Sequence, residues 1–157
     1  MTGTDAESPY DTHLNVLYPS GEVIDVPALV AANMHPWYNQ TLCAVNESVV
    51  RLGVLQGEYH WHHHETEDEF FFVVSGRFLI DMPDCTVELL PGQGFVVAKG
   101  LRHRPRAPEK TVVLMACSIA SASRTRSHRA RWRPGSGMRS GIRCCRNCAP
   151  PAPPPCS

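Results

Sequence analysis

Gly57-Glu-Tyr-His60-Trp-His62-His-His64-Glu-Thr-Glu-Asp-Glu69-Phe-Phe-Phe-Val-Val-Ser-Gly76 places an imidazole run directly before an apolar, β-prone run. On an extended chain, residues two apart share a face. His60, His62 and His64 are therefore predicted to point one way, and Trp61 and His63 the other. Two imidazoles on neighbouring same-face positions chelate a first-row divalent metal. Glu69 opens the next β run and offers a carboxylate from an adjacent strand. A fourth ligand must come from elsewhere, and His103, just beyond the Gly100 turn, is the outstanding candidate.

Outward from this stretch, the chain alternates short β-like runs with turn residues: Thr41–Val45, Ser48–Leu55, Glu58–His64, Glu69–Val74, Arg77–Met82, Thr86–Leu90, Phe95–Ala98 and Thr111–Ser118. Strands at this spacing predict an all-β sandwich or barrel. Residues 1–17 read as a flexible leader. Val23–Ala32 follows, with Pro27 set to begin a short helix. The expected organisation is thus 1–37 leader and helix, 38–118 barrel and 119–157 an irregular tail.

The formal net charge of zero hides an asymmetry. All 15 acidic residues lie at or before Glu109, whereas residues 118–157 carry eight arginines and no acid. Cys43, Cys85 and Cys117 lie in strand-like contexts and are expected to be buried reduced thiols, while Cys144, Cys145, Cys148 and Cys156 crowd the end. The tail closes on Ala149-Pro-Pro-Ala-Pro-Pro-Pro-Cys156. Proline at that density blocks helix and central strand, so the tail is expected to be disordered. Cys145-x2-Cys148 lacks the second pair a zinc site needs. Arginine without lysine is also odd for a nucleic-acid arm, so nucleic acid is not an expected partner. Arg, Ala, Pro, Ser, Gly and Cys together are what a GC-rich gene yields out of frame. A frame change between about Leu114 and Ser121 is therefore preferred to a genuine tail. Sequencing the gene tests this; an uninterrupted frame would overturn it.

No apolar run approaches the roughly 20 residues of a membrane helix. The polar, acidic start from Met1 to Tyr10 has no secretory character, which predicts a cytoplasmic protein.

Two segments resemble the motifs of the cupin superfamily. His62-x-His64-x4-Glu69-x6-Gly76 is similar to the first motif, and Gly92-x5-Ala98-x-Gly100-x2-His103 to the second. Ala98 stands where that family usually has Pro, Ala107 where it often has Asn, and Gly57 is one residue closer than usual. The resemblance covers about residues 38–118. It implies a double-stranded β-helix with a short N-terminal helix, and one divalent transition metal (Fe, Mn, Zn or Ni) held by His62, His64, Glu69 and His103. It also implies a homodimer, which would cover strands apolar on both faces.

The expected function is that of a metal-dependent enzyme on a small polar molecule, dioxygenase- or sugar-phosphate-isomerase-like, with His60 as the candidate catalytic acid/base. The alternative is a non-catalytic metal- or small-ligand-binding module. His63 is set aside as outward-facing. Glu65, Glu67 and Asp68 are read as a solvated turn, and Lys99, Arg102, Arg104 and Arg106 mainly as a solvated rim. Trp61, Phe70, Phe71, Phe72, Phe78 and Phe95 are read as core packing.

Overall fold

The computed structural model describes residues 9–119. The expectations for the tail from residue 120 onward fall outside the described residues. Eight strands and one helix are present among them: β1 (Asp11–His13), α1 (Val26–Ala32), β2 (Trp37–Val45), β3 (Ser48–Glu58), β4 (Glu69–Ser75), β5 (Phe78–Asp81), β6 (Thr86–Leu89), β7 (Gly94–Val97) and β8 (Arg104–Ser118). The expected all-β architecture is present.

β8 organises the sheet, whose order is β1-β2-β3-β8-β4-β7. Along one edge it pairs antiparallel with β3, from Ser48↔Ser118 to Glu58↔Arg106. Along the other its C-terminal half pairs with β4 and its N-terminal half with β5, and β6 closes on β5. The expected strand here is Thr111–Ser118, and two prolines, Pro105 and Pro108, precede it, residues disfavoured in a central strand. The strand runs back to Arg104 nonetheless. Between the pairs Leu55↔Thr111 and Gly57↔Ala107 the register shifts, so Pro108 sits in an irregularity where no ladder donor is needed.

Period-2 patterning is clearest in β4. Phe71 and Val73 are 1% and 0% exposed, and join Phe78, Ile80, Val97, Val113 and Met115 in the interior core. Phe70, Phe72 and Val74 face outward and are exposed, as is Trp61. The predicted aromatic core therefore reduces to Phe71 and Phe78, with Phe95 packed partly against it. β3 is buried on both faces. Leu55 points into the interior, while Leu52 and Val54 form a second cluster with Leu42 and Val112. Leu29 and Val30 of α1 pack on that cluster. Asp25 caps the helix by accepting from the Ala28 N–H at 3.0 Å, and Pro27 lies in its first turn.

The leader expectation needs correction. Asp11–His13 pairs in parallel with Tyr38–Gln40, and the Leu17 and Tyr18 N–H groups donate to Thr41 and Leu42 carbonyls. Residues 11–18 thus belong to the sheet edge, where backbone pairing, which side-chain patterning does not encode, holds them. Cys43, Cys85 and Cys117 are half-buried rather than buried.

Candidate metal centre

The run from Tyr59 to His64 is not the regular strand the alternation predicts. β3 ends at Glu58, and His62 then makes an isolated antiparallel bridge with His103. His62 N–H donates to the His103 carbonyl at 3.0 Å, and His103 N–H to that of His62 at 2.8 Å. Two distant segments are thereby pinned together at two of the predicted ligands. The Gly100 N–H reaches the His64 carbonyl at 2.6 Å, and the Lys99 N–H donates to Asp68 Oδ1 at 2.9 Å. Asp68 is exposed, as expected of a turn residue, but also clamps this loop, whereas Glu67 keeps a buried Oε2 with no partner among the described residues.

His62, His64, Glu69 and His103 each present a ligand atom, and these atoms all lie within 4.8 Å of one another. Glu69 Oε2 is the hub, 3.1 Å from His64 Nε2, 3.2 Å from His103 Nε2 and 4.0 Å from His62 Nε2. The His103 side chain is wholly buried, whereas those of His62 and His64 are 20% and 28% exposed. The cluster therefore opens to solvent on the His62–His64 side.

The donor chemistry fits a cation. His62 Nδ1 lies 3.1 Å from the His60 carbonyl and His103 Nδ1 3.0 Å from that of Leu101. A carbonyl only accepts, so both Nδ1 atoms carry a proton, and in the neutral tautomer each ring would turn a bare Nε2 lone pair toward Glu69. Lone pairs converging on a carboxylate oxygen repel unless a cation lies between them. One carboxylate neutralises at most one imidazolium, and a metal ion is a charge compatible with all four groups.

The electrostatics agree. Burial, with the nearby His103, pushes the His62 pKa down to about 4. Without a cation, a proton on Nε2 of His103 or His64 takes its place: burial pushes Glu69 up, but hydrogen bonds from those two rings outweigh it and bring Glu69 to about 2. His64 is raised, chiefly by its hydrogen bond to Glu69. Glu69 is thus ionised and His62 neutral throughout the physiological range, the protonation states that metal ligation requires.

His60 is exposed. Its ring centroid is 4.0 Å from Tyr59 and 5.5 Å from His62, so it stands at the lip of the cluster. His63 is exposed, as expected. Tyr59 was missed. Strand alternation would put it on the face of Trp61, yet it stacks on Trp37 at 5.5 Å and meets the His62 ring edge at 5.2 Å. Burial pushes its phenol up to about 12, so it is a neutral wall of the site.

Two of the rim arginines are structural. Arg106 holds Asp81 through Nε and Nη2 at 2.6 and 2.8 Å, and Arg104 through the same two nitrogens at 3.1 and 2.8 Å. Arg104 also reaches Glu58 at 3.0 Å. The Arg106 and Arg104 hydrogen bonds hold Asp81 well below the ordinary carboxylate range. Asp81→Asn should cost about 1–3 kcal/mol at pH 7, because two half-buried guanidinium groups lose their shared charge. A depressed carboxylate stabilises above its unfolded pKa of roughly 3.9 and loses that contribution as pH falls through the folded value. The gap between variant and wild type in urea unfolding should therefore narrow below about pH 4. A gap unchanged by acid would overturn this account. Arg102 and Arg104 also lie over the Trp61 ring, at 5.2 and 5.4 Å.

With this geometry in place, comparison with known proteins identifies the class. The cupin domain family model matches residues 49–119. Protein YdbB of Bacillus subtilis (strain 168) is 43% identical over 77 residues, 48% of this chain and 68% of that protein. Protein SchB of Streptomyces halstedii is 39% identical over 59 residues, 38% of this chain and 41% of that protein, so the chain spans under half of its length. Among solved structures, a cupin-2 domain containing protein from Shewanella frigidimarina NCIMB 400 superposes with a TM-score of 0.57 at 28% identity, covering 60% of this chain and 92% of that one. The chain belongs to the cupin superfamily. Its fold is the double-stranded β-helix, and its cluster of three histidines and one glutamate is compatible with a metal ion.

Proposed function

We propose that this cupin binds one divalent transition metal through His62, His64, Glu69 and His103 and acts as a metal-dependent enzyme on a small polar molecule, in the manner of a dioxygenase or an isomerase. The observation that carries this reading is the convergence of three imidazole nitrogens and a carboxylate within 4.8 Å, with one side open to solvent. Four protein ligands leave coordination positions on Mn, Fe, Ni or Zn, and such a metal would supply Lewis-acid polarisation, an acidified water or oxygen chemistry. The chain itself orients the ligands through the His62–His103 bridge and walls the site with Tyr59, on which Trp37 stacks. His60, at the lip, is the group placed to hold or move a proton at an imidazole nitrogen. The alternative, a non-catalytic metal or small-ligand module, would use the same four ligands without His60.

Elemental analysis of purified protein, followed by a turnover screen of the metal-loaded form, tests the reading. A stoichiometry near zero after metal reconstitution would sink it. His60→Ala should leave metal content unchanged while abolishing or sharply slowing any turnover found; equal turnover would favour the binding module. Metal affinity should also fall with acidity. Because the folded His64 pKa is raised, protons compete for that ligand as soon as pH drops through its elevated value, and affinity then declines about tenfold per pH unit. Titration with Zn(II) or Mn(II) at several pH values reads this, and a flat profile from pH 8 to 5 contradicts it.

As partners we propose a second copy, packed on the outer face of β4 and β7, where Phe70, Phe72, Val74 and Val96 are exposed. Sedimentation should give a dimer that Phe72→Glu dissociates, and a monomeric wild type overturns it. A cytoplasmic location is proposed with it. No helix among the described residues is long and apolar enough to cross a membrane.

A further inference from the structure

The interior of the barrel contains a guanidinium with two buried donors that have no hydrogen-bond partner among the described residues. Arg51 on β3 is 8% exposed, and its Nε and Nη2 are buried with no hydrogen-bond partner among the described residues. Its inward direction follows from register. It pairs with Thr41 on β2 and Met115 on β8, Met115 pairs with Phe71 on β4, and Met115 and Phe71 both belong to the interior core. Its charge interacts with Cys117, and also with Glu69 and Tyr59 of the metal cluster and its wall. Two neighbouring polar atoms on the same face are also buried and unpartnered, Thr41 Oγ1 and Asn39 Oδ1.

A desolvated guanidinium is costly to keep unless something satisfies its donors. Burial accordingly lowers its pKa. Nε and Nη2 are the two nitrogens whose N–H bonds run parallel, the edge that matches a carboxylate. This protein already demonstrates that match, since Arg106 grips Asp81 through the same edge at 2.6 and 2.8 Å. In Arg51 the same two nitrogens are buried and lack a hydrogen-bond partner among the described residues. A lysine could not make this match, and an apolar residue would fill the position at lower cost.

We infer that Arg51 anchors the carboxylate of a small hydroxycarboxylate ligand inside the barrel, with Asn39 Oδ1 and the Thr41 hydroxyl beside it to take the ligand's hydroxyl. This names the substrate class for the site proposed above and rests on that reading only for what happens at the ligand's other end. The anchor itself is independent of any metal. The carboxylate exchanges its water shell for two charge-assisted hydrogen bonds and removes the isolation of a buried charge.

The test is calorimetric titration of the full chain, metal-loaded and metal-stripped, with lactate and with neutral lactamide as probes. Wild type should bind lactate at least about tenfold more tightly than lactamide. Arg51→Met should lose at least about tenfold in lactate affinity with metal content unchanged. Arg51→Lys, which keeps the charge but not the fork, should recover only part of that loss and serves if the Met variant is insoluble. Melting separates an anchor from a structural ion. Removing an unpaired buried charge should raise the Tm of Arg51→Met by a few degrees, whereas a lowered Tm would assign Arg51 to balancing Glu69 and overturn the inference. Lactate affinity equal in wild type and variant, or no preference over lactamide, would overturn it as well. Metal-stripped protein should retain the Arg51-dependent part of lactate binding. An absence of bound metal with that dependence intact would refute the metal reading alone.

Discussion

His62→Ala protein, reconstituted with metal and passed through a desalting column, will carry less than about one metal per ten chains, against nearly one per chain in wild type. Loss of a group that merely orients a ligand already costs about 10–100-fold in affinity, and loss of a ligand costs more. The remaining three groups cannot replace it. His64 and His103 stay on Glu69 at 3.1 and 3.2 Å, but the side facing solvent loses its imidazole. The fold should survive, because the His62–His103 bridge is made by backbone atoms and the His62 side chain is one-fifth exposed. His103→Ala should empty the site equally and cost more stability, since that side chain is fully buried and truncation leaves a cavity. Circular dichroism on the same samples separates lost metal from lost fold. Equal stoichiometry in folded His62→Ala and wild type would remove the four-residue assignment.

Gly76→Ala should be the most damaging small substitution in the barrel, with a loss of about 3–5 kcal/mol. Gly76 links β4 to β5 with φ +86°, a region that costs an L-residue about 1–2 kcal/mol. Space adds a second penalty. A Cβ there would lie 2.6 Å from Thr111 Oγ1, 2.7 Å from Thr111 Cα and 2.8 Å from the Lys110 carbonyl oxygen. Two of those three are backbone atoms of central strand β8, which cannot swing aside as a flexible side chain would. The same Thr111 hydroxyl ties the turn down, accepting from the Arg77 N–H at 3.1 Å and donating to the Arg77 carbonyl at 3.0 Å. Gly92→Ala is the control. Its φ of +83° is similar, but nothing lies within 4 Å of the added Cβ, so only the conformational cost of about 1–2 kcal/mol remains. Urea unfolding of the two variants should separate them clearly, and equal losses would show that the close approach to β8 is immaterial.

The motif glycine thus has a physical explanation that its spacing from Glu69 did not contain. In sequence, Gly76 looks like any turn glycine. Its special status comes from β8, which passes beneath the turn more than thirty residues later in the chain. The same division runs through the site. The four candidate ligands were legible in sequence because the two motifs carry them at fixed spacings, and the structure gathers those four side chains. Strand alternation does not govern His60, His62 and His64, because the chain leaves regular pairing after Glu58. His62 and His64 converge through a bridge to His103 and a loop bond to Gly100, while His60 lies on Tyr59 at the lip.

Alternation of apolar residues determined the all-β class, the order of the strands along the chain and the inward face of β4. Those features follow from side-chain period, a local property written along the chain. Tertiary structure alone decided that Pro105 and Pro108 lie within the longest described strand, that Tyr59 walls the site, that Asp81 joins two arginines, and that Arg51 faces inward with two donors unmet among the described residues. Each of those depends on which strand lies beside which, and in what register. Register is set by long-range pairing around β8, and no local pattern of residues encodes it.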